Sequence, residues 1–133
     1  MDEFQIIKKF FRPLAAKKEN SLDLEDDAAI ISIKKKSLII ATDSITEGDH
    51  FQKNERNSSN IAKKLLRVNL SDIASMGADP FGYTINLAVP KKLQKKKLIS
   101  WIKDFAQGLK QDQKKYKVNL LGGDTVAIKG SLI

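Results

Sequence analysis

Residues 28–42 read AAIISIKKKSLIIAT: two apolar runs, 28–33 and 38–42, on either side of a lysine-rich turn. Continuous apolar runs of this length, rich in Ile, are the pattern of buried strands. A connection this short makes the two strands antiparallel neighbours. Downstream, residues 81–89 (FGYTINLAV) read as a third strand, closed by Pro90. Residues 118–121 read as a fourth, entering a tight strand-to-loop turn at Gly122-Gly123-Asp124-Thr125. Two amphipathic helices complete the pattern. One is capped by Ser58 or Ser59 and runs to about Met76, with Gly77 as its stop. Its apolar positions Ile61, Ala62, Leu65, Leu66, Leu70, Ile73 and Met76 recur at helical spacing. The other covers 94–115, with Leu98, Ile102, Phe105 and Leu109 on one stripe. A short helix over 3–11 is expected to close before Pro13. The order helix, strand, strand, helix, strand, helix, strand predicts an α+β fold. Its sheet is mixed or antiparallel, with helices on one face.

The 133 residues suit one domain. With 41% hydrophobic residues the chain can bury a core. It has no cysteine, so disulfides, thiolate metal sites and cysteine nucleophiles are excluded. No stretch approaches the roughly 20 apolar residues that span a bilayer. The first residues, MDEFQIIKKFFRPL, lack the basic, apolar and small-residue regions of a signal peptide. The expectation is a soluble, cytoplasmic protein with no membrane partner. The formal net charge is +8. Of the 24 basic residues only Arg12, Arg56 and Arg67 are arginines, which leaves 21 lysines. Nucleic-acid readers lean on arginine for bidentate contacts. The lysine runs therefore read as a solvated surface, with a basic polyanion-binding module as the competing class.

Several carboxylates stand at the ends of otherwise apolar elements. Asp26 and Asp27 precede the first strand, Asp43 follows the second, Asp72 lies near the end of the central helix and Asp124 follows two glycines. Element ends present ligands rigidly. Mg²⁺ takes oxygen ligands and keeps waters and phosphates in its shell. Such a set suits a magnesium–phosphate site, but aspartates also cap helices and strand ends. Asn69 and Asp72 lie at the edge of the central helix's apolar stripe, and Asp72 reads either as a ligand presented from a rigid helix or as half of an Asn–Asp pair capping a neighbouring loop. There is no P-loop and no Gly-x-Gly-x-x-Gly, so any ATP phosphates would be held mainly through metal. His50, the single histidine, lies in the long polar loop 43–57 and cannot make a zinc site by itself.

Taken in order, the motifs resemble a known family. They are Asp26-Asp27-Ala28-Ala29, Ala41-Thr42-Asp43-Ser44, Gly48-Asp49-His50-Phe51, the block Asn69-Leu70-Ser71-Asp72-Ile73-Ala74-Ser75-Met76-Gly77-Ala78-Asp79-Pro80, and Gly122-Gly123-Asp124-Thr125. In order and spacing they resemble thiamine-monophosphate kinase, a member of the aminoimidazole-ribonucleotide-synthetase-like superfamily. The resemblance implies a ferredoxin-like N-terminal domain with a four-stranded sheet, and pairing of sheets across a homodimer. It implies ATP-dependent phosphorylation of thiamine phosphate to thiamine diphosphate, with direct transfer. Carried over, Asp27, Thr42, Asp43, Asp72 and Asp124 are the Mg²⁺ ligands, Gly123 and Asp124 lie against ATP, and His50 contacts thiamine phosphate. Asp26 and Asp49 are bystanders. Glu25 stands where the family commonly has Gly, and Ala41 where it often has Ser, which removes one oxygen donor. The resemblance also implies a second, C-terminal domain. Residues 1–133 are then a single ATP- and magnesium-binding domain of a longer protein, inactive alone. A related synthetase with a different acceptor is the nearest alternative.

Overall fold

The computed structural model describes residues 3–15, 38–53, 55, 57–91 and 95–129. The chain opens with α1 (Glu3–Ile6), which loosens into a π-helical turn (Ile7–Phe11) and then a 3₁₀ turn (Arg12–Leu14). Helix α2 (Ser58–Ser75) leads into strand β1 (Gly82–Pro90), then helix α3 (Lys95–Tyr116), then strand β2 (Asn119–Ile128). The two strands pair in parallel, from Gly82 opposite Asn119 to Pro90 opposite Ile128. Parallel neighbours need a long crossover, and the 22 residues of α3 supply it.

The core lies where α2 and α3 meet β1 and β2. Ile61, Ala62 and Leu66 come from α2, Ile102, Phe105, Ala106 and Leu109 from α3, and Leu87, Val89 and Leu120 from the strands. Ile102, Phe105 and Leu109 are each 1% exposed. They are three of the four positions of the predicted stripe, while Leu98 is half-buried at its start. Burying each contributes about 1.5–3 kcal/mol. The helices approach closely at Gly108, where an added Cβ would lie 2.3 Å from the Ser59 carbonyl oxygen. Two polar links flank that contact. The buried Ser58 hydroxyl donates to the Trp101 carbonyl at 2.8 Å, and Arg67 donates twice to the buried Asp112 carboxylate, at 2.7 and 2.9 Å. The hydrogen bond to Asp112 raises the Arg67 pKa above its ordinary value. Gln113 donates to the Leu14 carbonyl at 2.7 Å, tying the N-terminal turn to α3.

Several expectations change at the element ends. The cap of α2 is Asn57, whose side chain accepts from the Asn60 amide at 3.1 Å. Ser58 is already helical, because its hydroxyl is spent on α3. Gly77, at φ +66°, ends the helix as expected, with Ala78 N–H donating to Ile73 and Gly77 N–H to Ala74. Met76 is 65% exposed and not on the buried stripe. The opening helical segment ends at Phe11, before Pro13 as expected. Pro13 sits inside the 3₁₀ turn that follows, where a first-turn residue needs no intrahelical N–H bond.

The sheet differs more. Among the described residues it holds one parallel pair, and segment 38–42 is neither helix nor strand. A strand is defined by its hydrogen-bonded neighbour, and the neighbour expected here, 28–33, lies outside the described residues. The Gly122-Gly123-Asp124-Thr125 segment is not a turn. It continues β2, with a register irregularity at Tyr83/Thr84 that leaves Leu121 as an extra residue.

Tyr83 carries a testable consequence of its burial. Its hydroxyl is buried with no hydrogen-bond partner among the described residues, and burial pushes the phenol pKa well up. An unfolded tyrosine ionises near pH 10, about where folded Tyr83 still keeps its proton. Its contribution is complete below about pH 10 and is lost as pH rises from there toward the folded pKa. Stability should fall by up to about 1.4 kcal/mol per pH unit more than in Tyr83→Phe over that window. Urea midpoints of both proteins from pH 9 upward check this, and parallel pH profiles would contradict it.

Candidate functional site

The loop after residue 42 is folded tightly on itself. His50 N–H donates to the Thr46 carbonyl at 2.9 Å, and Gly48 N–H to the Phe51 carbonyl at 2.8 Å. Thr46 N–H donates back to His50 Nδ1 at 3.0 Å. A neutral His50 held this way keeps its proton on Nε2. Ile45, 5% exposed, turns inward and lines a small apolar cavity with Phe51, Ile61, Leu65, Leu87 and Phe105. The exposed imidazole is thus carried on a turn whose apolar residues are anchored in the core.

Helix α2 grips this loop at both ends. At the His50 end, Lys64 Nζ donates to the His50 carbonyl. At the Asp43 end, the Asn69 amide meets the Asp43 backbone twice. Oδ1 accepts from Asp43 N–H at 2.7 Å, and Nδ2 donates to the Asp43 carbonyl at 3.1 Å. Nδ2 also donates to the Leu65 carbonyl at 3.0 Å, which fixes the amide on its own helix.

The predicted residues divide accordingly. Asp43 is fastened to α2 one turn before Asp72, so these two carboxylates are brought to the same end of the helix. Both side chains are exposed, and neither has a hydrogen bond or ion pair among the described residues. Thr42 is exposed beside Asp43, and Ala41 next to it is half-buried. Asp124 stands on β2 opposite Asn86, exposed, with Oδ1 accepting from Thr125 N–H at 2.8 Å. It shares no hydrogen bond with Asp43 or Asp72. Gly123 lies against Ile85 of β1, and its backbone is in a region only glycine adopts readily, φ +152°. Asp27 and Glu25 lie outside the described residues. Among the described residues no group of three or more His, Asp or Glu side chains is close enough to hold a metal.

Among the described residues the site therefore offers two unpaired carboxylates at one helix end, with Thr42 next to Asp43 in the chain and a third carboxylate on the sheet. Oxygen donors without imidazole or thiolate are the donor chemistry of Mg²⁺, which is commonly held by one or two carboxylates plus phosphates. One of the two readings of the sequence had Asn69 and Asp72 together capping a neighbouring loop. In the structure Asn69 caps the loop alone, and that leaves Asp72 uncommitted. Lys64 was missed, since in sequence it is one more lysine on the polar side of a helix.

In one groove of the basic surface two of the side chains are engaged within the chain. A shallow groove of about 460 Å³ runs along α2, lined by Asn60, Lys63, Lys64, Arg67, Val68 and Ser71. Lys64 is engaged with His50 and Arg67 with Asp112. No helix among the described residues is long and apolar enough to cross a membrane.

Residues 25–133 match the family model described as AIR synthase related protein, N-terminal domain. The chain belongs to this family. Among curated relatives, thiamine-monophosphate kinase of Buchnera aphidicola (from Schizaphis graminum) is 41% identical over 93% of the chain. That alignment covers 37% of the relative, so the chain spans little more than a third of its length. The crystal structure of thiamine-monophosphate kinase from Stenotrophomonas maltophilia superposes with a TM-score of 0.75. It is 32% identical, and the match covers 99% of this chain and 40% of that one. AaThiL complexed with AMPPCP and TMP gives a TM-score of 0.66 at 27% identity, over 98% and 38% of the two chains. The α+β fold is thus that of the AIR synthase related N-terminal domain, and the strand–helix–strand unit described above is part of it.

Proposed function

We propose that the protein carrying this chain transfers a phosphoryl group from ATP to thiamine phosphate, giving thiamine diphosphate. The observation that carries the reading is the pair of uncommitted carboxylates, Asp43 and Asp72, set at one helix end by Asn69. Isolated exposed aspartates on a surface need no such fastening. Similarity to thiamine-monophosphate kinases supports the substrate assignment.

In this reading Asp27, Thr42, Asp43, Asp72 and Asp124 hold Mg²⁺, which neutralises charge on the nucleotide phosphates. Gly123 and Asp124 lie against ATP, and His50 meets thiamine phosphate through its remaining ring N–H. The chain's work is positioning, since phosphoryl transfer asks little covalent chemistry of the protein. The Asn69 link keeps the Asp43 carboxylate beside α2, and the Lys64 link keeps the His50 turn at a fixed distance from it. The acceptor turn and the Asp43–Asp72 part of the metal site are thus held from one rigid helix, with the nucleotide contacts of Gly123 and Asp124 supplied by β2. Residues 1–133 act as one N-terminal domain whose site is completed by a further domain. Its sheet is four-stranded and pairs with a second copy in a cytoplasmic homodimer.

The test is product formation by the intact protein. ATP, thiamine phosphate and Mg²⁺ are expected to yield thiamine diphosphate, and a chelator should stop it. Absence of product, or product formation indifferent to chelation, would overturn the reading. Turnover with selenide or an aminoimidazole precursor in place of thiamine phosphate would assign a related synthetase.

A further inference from the structure

We propose that Asn69 is a positioning residue for the Asp43 carboxylate, and that it acts on Mg²⁺ binding without touching the ion. The inference rests on the functional reading above and deepens it. Asn69 and Asp43 are 26 residues apart in sequence. The side-chain amide presents one acceptor and two donor hydrogens. Oδ1 takes the Asp43 N–H, and Nδ2 divides its hydrogens between the Asp43 and Leu65 carbonyls.

This arrangement does more than anchor a loop. Gripping both the N–H and the C=O of a single residue fixes that residue's position and also its rotation about the chain. The direction of its Cα–Cβ bond follows, and with it the side of the loop from which the carboxylate projects. Segment 38–46 has no helix or described strand of its own to set that direction. The bond to Leu65 removes the remaining freedom, because it locks the amide against its own helix. Only a side chain with both functions at this length can do all three. Asp lacks the donors, Ser is too short to reach, and Leu has neither. Asn is a middling helix former, so local propensity does not account for it at a mid-helix position.

A merely structural anchor would act differently. It would lower overall stability and loosen the whole loop, including the His50 turn. A positioning residue shifts the requirement for the ion. Lys64 provides the internal comparison, since it holds the same loop at its other end through the His50 carbonyl. Removing a group that orients a metal ligand typically weakens metal affinity about 10- to 100-fold.

The experiment is calorimetric titration of Mg²⁺ into the intact protein with a non-hydrolysable ATP analogue, for wild type, Asn69→Ala and Lys64→Met. Amide exchange at Asp43 is followed in parallel. Asn69→Ala should raise the Mg²⁺ midpoint about 10- to 100-fold and deprotect the Asp43 N–H. Lys64→Met should leave the midpoint within about twofold of wild type, below that range. If Asn69→Ala fails to fold, Asn69→Ser keeps the comparison. Its hydroxyl still reaches the Leu65 carbonyl, as helical serines do, but not Asp43. An unchanged midpoint in the variant, or an equal shift in Lys64→Met, overturns the positioning role and leaves the functional reading intact. Absence of Mg²⁺-dependent analogue binding in wild type overturns the functional reading itself.

Discussion

Gly123→Ala is expected to remove the folded protein from the soluble fraction, or to lower its stability by more than about 4 kcal/mol. The added Cβ would stand 1.8 Å from the Ile85 carbonyl oxygen, 2.7 Å from its carbon and 2.9 Å from the Ile85 nitrogen. All three are backbone atoms of the paired strand, so no rotamer change relieves the clash. The backbone angle compounds it, because φ +152° strains any residue with a Cβ. Relief requires β1 and β2 to part at Ile85 and Gly123, in the middle of the described ladder. Gly122→Ala is the control. Its Cβ would meet nothing within 4 Å, and its stability should stay within about 1 kcal/mol of wild type. Soluble yield and urea midpoints of the two variants check the contrast. The result also bears on function, for the fold alone already requires glycine at 123. An ATP contact there must be established by binding and not by the presence of glycine.

Asp72→Asn should do the opposite, sparing the fold and removing activity. The side chain is exposed and makes no hydrogen bond or ion pair among the described residues. Stability should stay within about 0.5 kcal/mol. If the carboxylate helps hold Mg²⁺ against the phosphates, kcat should fall at least about 100-fold, the scale of losing one charge-stabilising group. The KM for thiamine phosphate should change little if, as proposed, the acceptor is held at the His50 turn. Steady-state kinetics of the intact protein decide this. Near-normal kcat would remove Asp72 from the metal site.

How much of this was legible in the sequence depended on the range of each interaction. Helix α3 was readable almost to the residue, because Leu98, Ile102, Phe105 and Leu109 repeat at a local period that burial preserves. Strand β1 was readable for the same reason, up to its Pro90 end. The N-cap was misplaced by one residue because Asn57, Ser58 and Ser59 are all good caps. Only the packed structure shows the Ser58 hydroxyl committed to Trp101. The paired glycines were read as a turn, which is their commonest local meaning. Here they serve a nonlocal one, letting β2 run close alongside Ile85. The sheet's parallel pair follows from α3 as a crossover, and the expectation built on segment 28–42 lay mostly outside the described residues.

The candidate site followed the same rule. Of the aspartates expected at element ends, Asp72 does lie in the last turn of α2, whereas Asp124 falls inside β2 and Asp43 follows a segment that is neither helix nor strand; all three are exposed. What joins them was not readable. The Asn69–Asp43 link spans a long loop, and nothing in the spacing of the two residues announces it. The sequence did flag Asn69 as a polar residue at the edge of an apolar stripe. That signal was sound, since such a residue needs partners, though the partner was the loop backbone and not Asp72. The Lys64 link had no signal at all.

The most direct test of the account is a structure of the intact protein with Mg²⁺ and a non-hydrolysable ATP analogue. The account predicts Mg²⁺ with Asp43 and Asp72 oxygens at about 2.0–2.1 Å, or one water removed, and Asp124 facing the same phosphates. It also predicts the Asn69 amide still bonded to the Asp43 backbone. Nucleotide and metal bound elsewhere, with Asp43 and Asp72 left in solvent, would contradict it.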